Sequence, residues 1–445
     1  MKRFLMDKLI EWKNSKYRKP LILKGARQVG KTWLLKEFGK SFPGGIAYIS
    51  LDKSPEFKEF FISSKSPERI LSNLSFALKI KITPDTLLVI DEIQECPEAL
   101  NSLKYFYEEM PQQPVACAGS LLGIGLSKGF PVGKTDFLEL CPMTFTEFLY
   151  ACGDENLADY MSGVKAIEPV PQAFFAPLTE KLKMYFITGG MPEAVLHWAE
   201  NRDIALTEQT LQNISMAYES DFARHPETHA AAKIGLIWHS LPSQLARENK
   251  KFMFSLVKDG ARAREYEDAL QWLLLAGIAK KTNRASRPGL PVSAYEDMSA
   301  FKIYLSDTGL LRSLSRLAPH AITEGSRLFT EFKGALTENY VLQSLNAAFN
   351  AKPSYWADGR HEVDFLVQHE NDIIPIEAKS AENIKAASLK NFMEKYPHTP
   401  LAVRLSLRNL SLDGKILNIP LFMADNVKQL IKIALLPSAA AARLP

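Results

Sequence analysis

Residues 19–38 read KPLILKGARQVGKTWLLKEF, from Lys19 to Phe38. A short apolar run, PLIL, leads into Gly25-Ala26-Arg27-Gln28-Val29-Gly30-Lys31-Thr32, and a helical pattern follows. That order fits G-x-x-x-x-G-K-[ST] between a strand and a helix, the context in which this motif cradles phosphate. Glycines let the backbone curl so that its N–H groups face phosphate oxygens, at a helix N-terminus that already favours anions. Lys31 is placed to reach the β- and γ-phosphates, and the Thr32 hydroxyl to hold Mg²⁺. The stretch therefore predicts a nucleotide site running from Gly25 to Thr32, with ATP and Mg²⁺ as cofactors.

Further along, LLVIDEIQ is an apolar strand ending in Asp91-Glu92. A carboxylate at the carboxyl edge of a parallel sheet lies where the Mg²⁺ of such a site sits. Asp91 is read as holding the metal through water and Glu92 as polarising the attacking water. The alternative is an acidic pair that caps the next helix. In VACAGS, Ser120 ends a neighbouring strand and is a candidate contact to the γ-phosphate or the water, although Ser and Gly are also common turn residues.

With 445 residues the chain is too long for one core and predicts two to four domains. Its 46% hydrophobic and 23% charged residues are those of an ordinary globular protein. A net charge of +4 is only a weak lean toward anionic partners, so a nucleic-acid reading must rest on local basic patches. Cys96, Cys117, Cys141 and Cys152 are scattered without metal spacing, as expected of reduced thiols in an intracellular protein. The charged start, MKRFLMDKLIEWKNSKYRKP, has no signal-peptide core. The longest apolar run, ALQWLLLAGIA, is well short of the ~20 residues of a membrane span. A cytoplasmic protein with no membrane partner is expected.

Short apolar runs alternating with amphipathic ones over the first 150 residues predict a doubly wound parallel sheet. The order of the pieces resembles the AAA-type ATPases. More narrowly, GARQVGKTWLL, LLVIDEIQ, LCPMTFTEFL and TGGMPEAV are similar to one prokaryotic family of AAA-type ATPases with a C-terminal domain of unknown function. Ala26 stands where that family usually has proline, and Lys134 where arginine is expected. Lysine lacks the bidentate fork of arginine. Arg224 is a candidate arginine finger, with a solvated helix-end arginine as the alternative. His225 and His229 are four apart, but Pro226 between them unsettles the helix that a metal pair would need.

Residues 162–178 are proline-rich, lack periodicity and read as a linker or long loop. ARAREYEDALQWLLLAG, IAKKTN and KIYLS give helix, strand, loop and strand, the order of a winged helix. Lys258, Arg262, Arg264, Lys280, Lys281, Arg284 and Arg287 would meet a phosphate backbone there, diluted by Glu265, Glu267 and Asp268. Ser306 or Asp307 is read as a helix cap.

A second constellation lies in GRHEVDFLVQHENDIIPIEAKS, two strands joined by a polar turn. Side chains alternate along a strand, so Glu377 and Lys379 share a face, and Asp364 can meet them from the strand before. Two carboxylates to hold Mg²⁺ and a lysine to stabilise charge are what metal-dependent phosphodiester cleavage needs. Glu338 falls in helical register with Val341, Leu342, Leu345 and Phe349, which puts a costly carboxylate on an apolar face. This E…D…E-x-K order resembles the PD-(D/E)XK nucleases. Such a fold can also bind without cutting, and Glu377 and Lys379 can be a plain cross-strand pair. Tyr355 and Trp356 are read as core in preference to substrate flanks.

The expected architecture is α/β throughout. An AAA-type P-loop ATPase domain spans 1–150, a linker and helical lid 151–225, a winged-helix-like domain 226–320 and a restriction-endonuclease-like α/β domain 321–445. The expected function is a Mg²⁺-dependent ATPase acting on nucleic acid, with a possible homo-oligomer. Its rival is a nucleotide-controlled switch or scaffold whose C-terminal domain binds DNA or protein without cleavage.

Overall fold

A computed structural model describes residues 1–119, 133–223, 228–247, 250–325, 330–349, 352–380 and 387–436. The chain packs as two compact units, one of residues 2–141 and 271–278, the other of 142–270 and 279–445 with Met1.

The first unit is built on five strands, β1 (Leu21–Lys24), β2 (Ile46–Ser50), β3 (Leu87–Asp91), β4 (Val115–Ala118) and β5 (Asp136–Glu139). All their pairings are parallel and the order is β2-β3-β4-β1-β5. Leu87, Leu88, Val89 and Ile90 are fully buried, because helices cover both faces of a parallel sheet and polar alternation is lost. Ile22, Ile49, Leu88 and Ile90 pack with Phe61, Leu103 and Phe106. Each such side chain contributes about 1.5–3 kcal/mol on burial, enough to fix the strand ends that carry the polar residues.

The second unit holds an eight-stranded mixed sheet. Its strands are β6 (Ala279–Ala285), β7 (Glu296–Leu305), β8 (Ser354–Asp358), β9 (His361–His369), β10 (Asp372–Ala378), β11 (Ala402–Ser406), β12 (Ser411–Asp413) and β13 (Ile416–Pro420). The order is β12-β13-β11-β10-β9-β8-β6-β7. The expected helix, strand, loop and strand are present, as the helix Ala263–Leu275, β6 and β7. The hairpin is not free-standing, however: β6 pairs parallel with β8 through Arg284↔Tyr355 and Ala285↔Trp356. It continues the C-terminal sheet.

In the stretch 162–178, residues 163–171 lie outside helix and strand as expected, but a helix, Gln172–Thr188, starts inside the stretch and carries Pro177. Packing overrides the proline: Phe174 stacks on Tyr160 at 4.2 Å, Phe175 meets Phe422 edge-on at 5.1 Å, and Leu178 and Leu182 are buried. Asp307 is the cap expected of it. Its carboxylate accepts from Leu310 N–H at 2.9 Å at the start of the helix Thr308–Leu314, and from Gly190 N–H at 2.6 Å. Tyr355 and Trp356 are buried in the core.

Candidate functional site

The phosphate loop joins β1 to the helix Lys31–Gly39. Gly25 has φ +150°, and a Cβ there would stand 2.4 Å from the Leu140 carbonyl oxygen, so only glycine fits. Gly30, at φ +92°, turns the chain into the helix. The Lys31 ammonium donates to the Gly25 and Ala26 carbonyls at 2.9 and 2.8 Å, curling over the loop. Burial draws Lys31 down to about 8, against the raising pull of Glu92 and Asp91.

Asp91 ends β3 facing this helix. Its Oδ2 accepts from Thr32 Oγ1 at 2.7 Å and from the Tyr48 hydroxyl at 2.8 Å, while Oδ1 accepts from Glu92 N–H at 3.1 Å. A hydroxyl and a carboxylate oxygen meeting at one point, beside a lysine, are hard-oxygen donors of the kind Mg²⁺ takes. Glu92 adopts the left-handed φ of +51°, unusual for a non-glycine residue and frequent at functional positions. Its Oε2 accepts from Gln94 Nε2 at 2.5 Å.

Two members of this site were not legible in the sequence. Tyr48 comes from the middle of β2 and carries no motif; burial, then Asp91, raises its phenol above the ordinary range. Arg3 is buried, and its guanidinium donates to the Val29 carbonyl at 3.0 Å and the Cys141 carbonyl at 2.6 Å, which braces the loop from behind. Lys134 pairs with Glu108 at 3.2 Å. Ser120, Arg224, His225 and the side chain of His229 lie outside the described residues.

In the second unit, Glu338 on the helix Thr330–Ala348, Asp364 on β9 and Glu377 on β10 are all buried. Lys379 reaches Glu377 Oε1 at 3.0 Å, and Asp364 Oδ2 accepts from Ala378 N–H at 2.8 Å. The other oxygen of Glu377, Oε2, has no partner among the described residues. Glu338 is held from a different side. It accepts from Lys250 through Oε1 and from the Tyr304 hydroxyl at 3.1 Å through Oε2, and Lys302 stands 3.9 Å away. Lys302 pairs with Glu362 at 2.5 Å and lies over the Tyr355 ring. Burial alone would raise Glu338, but Lys250 and Lys302 hold it below the usual carboxylate range. Burial, then the Glu338 charge, raises Asp364. Among the described residues no three of His, Cys, Asp and Glu are arranged to hold a metal ion. The donors fit Mg²⁺ poorly as they stand, because lysines already occupy Glu338. Lys302 and Tyr304, at alternate positions of the buried end of β7 (Ala300–Leu305), are the signal that sequence reading passed over.

The basic residues near β6 find separate partners. Arg284 pairs with Asp297 at 2.6 Å and Lys281 lies 4.2 Å from the Phe301 ring, whereas Lys258, Arg262 and Arg264 are exposed. Lys281, Lys352, Asn283 and Gln368 line a cavity of about 300 Å³ beside Glu296, whose carboxylate is bonded to Asn283 and Ser354.

Comparison with known proteins agrees with the first part of this picture. Residues 17–149 match the AAA domain family, 179–321 a domain of unknown function (DUF8612), and 333–422 another (DUF4143). The chain thus carries an AAA-type P-loop ATPase domain. No curated protein matches the sequence. Among solved structures, a Walker-type ATPase of Pyrococcus abyssi is 16% identical, with 70% of this chain and 95% of that one covered and a TM-score of 0.43. The Aeropyrum pernix ORC1 protein in complex with DNA is 13% identical, covering 70% and 90%, at 0.27. The Thermotoga maritima RuvB Holliday junction branch migration motor is 15% identical, covering 62% and 88%, at 0.29. Overlaps at these scores do not bear on what the chain does. Among the described residues, no helix is long and apolar enough to cross a membrane.

Proposed function

We propose that this protein hydrolyses ATP with Mg²⁺ at the phosphate loop and acts on nucleic acid through its second unit, whose nuclease-like carboxylate centre binds without cutting in the arrangement described. One observation carries the first half of this reading: Thr32 Oγ1 and Asp91 Oδ2 meet at 2.7 Å beside the Lys31 ammonium. Thr32 and Asp91 would hold the ion, which supplies charge neutralisation to the β- and γ-phosphates. Loop amides between Gly25 and Thr32 bind the phosphates, Lys31 moves from its carbonyls to the phosphate oxygens, and Glu92 orients the water and takes its proton.

Nucleic acid is favoured by the lysine-lined cavity beside β6, where the neighbouring carboxylate is already hydrogen-bonded. Binding without cleavage is favoured by the lysines on Glu338.

Nucleotide binding and turnover of the wild type, Lys31→Ala and Glu92→Gln test the first half. Glu92→Gln should bind ATP yet lose about 10²–10⁴-fold in turnover. Lys31→Ala should lose binding, and unchanged turnover in Glu92→Gln would remove that residue from the chemistry. Fluorescence anisotropy with labelled DNA tests the second half. Binding should weaken with added salt, and Lys281→Glu with Lys352→Glu should reduce it. No binding at low salt would leave a protein partner as the reading. Strand breaks lost in Lys379→Ala would instead establish a nuclease.

A further inference from the structure

Side chains alternate along β2, and its two faces do different things. Ala47 and Ile49 pack into the core with Leu88 and Ile90. The parallel register sets Tyr48 beside Val89 and Ser50 beside Asp91, so Tyr48 and Asp91 share the opposite face. That face meets the helix Lys31–Gly39: the Lys36 ammonium lies 4.2 Å from the centre of the Tyr48 ring. With the ring held there, the Tyr48 hydroxyl donates to Asp91 Oδ2 at 2.8 Å.

Asp91 is only 5% exposed, and a buried carboxylate needs donors to stay charged and in one orientation. Its Oδ2 accepts from Thr32 and Tyr48, and its Oδ1 from the Glu92 amide. These donors are not equivalent. The Thr32 hydroxyl is itself a candidate ligand of the ion, and with its one hydrogen on Asp91 its lone pairs face outward. The Glu92 amide follows the backbone and meets the other oxygen. The Tyr48 phenol has neither duty. It reaches Asp91 from a neighbouring strand, outside the phosphate loop, and shares Oδ2 with Thr32. Without it, that oxygen would be held by a hydroxyl that must also serve the ion.

We infer that Tyr48 is a positioning residue of the nucleotide site: its phenol fixes the Asp91 carboxylate toward Thr32 and so sets how tightly Mg²⁺ is held with the nucleotide. The inference rests on the ATP and Mg²⁺ reading of the phosphate loop and adds to it a residue from outside the motif. In this role Tyr48 acts through Asp91, as the outer partners of metal ligands do, and loss of such a partner costs about 10–100-fold in metal affinity.

The test is the gain in affinity that Mg²⁺ gives a fluorescent, non-hydrolysable ATP analogue, from titrations of the full chain in EDTA and in Mg²⁺. Tyr48→Phe keeps the ring and its contact with Lys36 and removes only the hydroxyl. It should lower the Mg²⁺ gain by about tenfold, with the affinity in EDTA at the wild-type value. Asp91→Ala should remove the gain. Adding Tyr48→Phe to Asp91→Ala should cost nothing more, because the phenol acts only through that carboxylate. An equal loss in EDTA and in Mg²⁺ would make Tyr48 a structural residue and overturn the inference. A full gain in Tyr48→Phe, or a further loss in the double variant, would overturn it too. A wild type with no Mg²⁺ gain at all would instead overturn the Mg²⁺ reading of the phosphate loop, and the inference with it.

Discussion

Lys302 carries its charge with no surface in contact with water. It tolerates this because three acids surround it: burial alone would lower its pKa, but Glu338, Glu362 and Asp364 hold it above the ordinary lysine range. A buried pair is weak evidence of net stability, yet removing one partner leaves the other charge stranded. Lys302→Met should therefore cost about 3–5 kcal/mol in denaturant unfolding, as Glu362 and Glu338 lose their counter-ion. Lys395 and Asp358 form the contrast, with side chains 48% and 51% exposed. Their charges stay hydrated whether paired or not, and Lys395→Met should leave the unfolding midpoint at its wild-type value. Equal effects at the two positions would mean that burial does not govern these pairs.

Among the elements, the turn between Thr188 and Pro192 and the helix Thr308–Leu314 are tied by one side chain. Asp307 accepts from both, and a Cβ on Gly189 would stand 2.2 Å from its Oδ1. Burial pushes this carboxyl up from 3.8 to about 6, against the pull of the Gly190 and Leu310 amides. The folded chain then binds the proton more tightly than the unfolded chain. Stability from neutral Asp307 is fully present below the unfolded value and is lost as pH rises through the folded one, by roughly 2–3 kcal/mol. Asp307→Asn loses an acceptor at every pH but does not titrate. Its stability relative to wild type should improve by about that amount between pH 4 and 7, and a pH-independent difference would refute the assignment. Elements of this kind differ in how far sequence reveals them. The phosphate loop was legible because eight consecutive residues carry its chemistry, and Glu377 with Lys379 because strand alternation is local. Lys250 was not, since it lies 88 residues from Glu338 and meets it only through the fold. The helix across Pro177 was hidden partly for the same reason: Phe422, which meets Phe175, is distant in the chain.

In the molecule as a whole, nucleotide site and carboxylate centre belong to different units, and the chain crosses between them at 141–142, 270–271 and 278–279. Just before the last of these crossings lies Gly277, at φ +76°, where an added Cβ would come within 3.3 Å of the Ala26 nitrogen in the phosphate loop. Two residues later β6 begins, the strand that carries Lys281 and pairs with β8. The phosphate-loop unit and the basic strand are thus joined directly by the chain here, and coupling between their sites is a matter for measurement. Coupling is reciprocal in binding free energy. If the second unit binds DNA as proposed and the sites are coupled, ATP should change DNA affinity, and DNA should change ATP affinity, by one common factor in the range of about 5–150. Gly277→Ala, which puts a Cβ against Ala26 in a left-handed turn, should shift that factor while leaving Lys281 and its strand in place. Anisotropy titrations with and without a non-hydrolysable ATP analogue give one half of the cycle, and nucleotide binding with and without DNA gives the other. A factor of one in both directions would mean that the two sites work independently, whereas a matched factor altered by Gly277→Ala would place the coupling in the crossing beside Gly277.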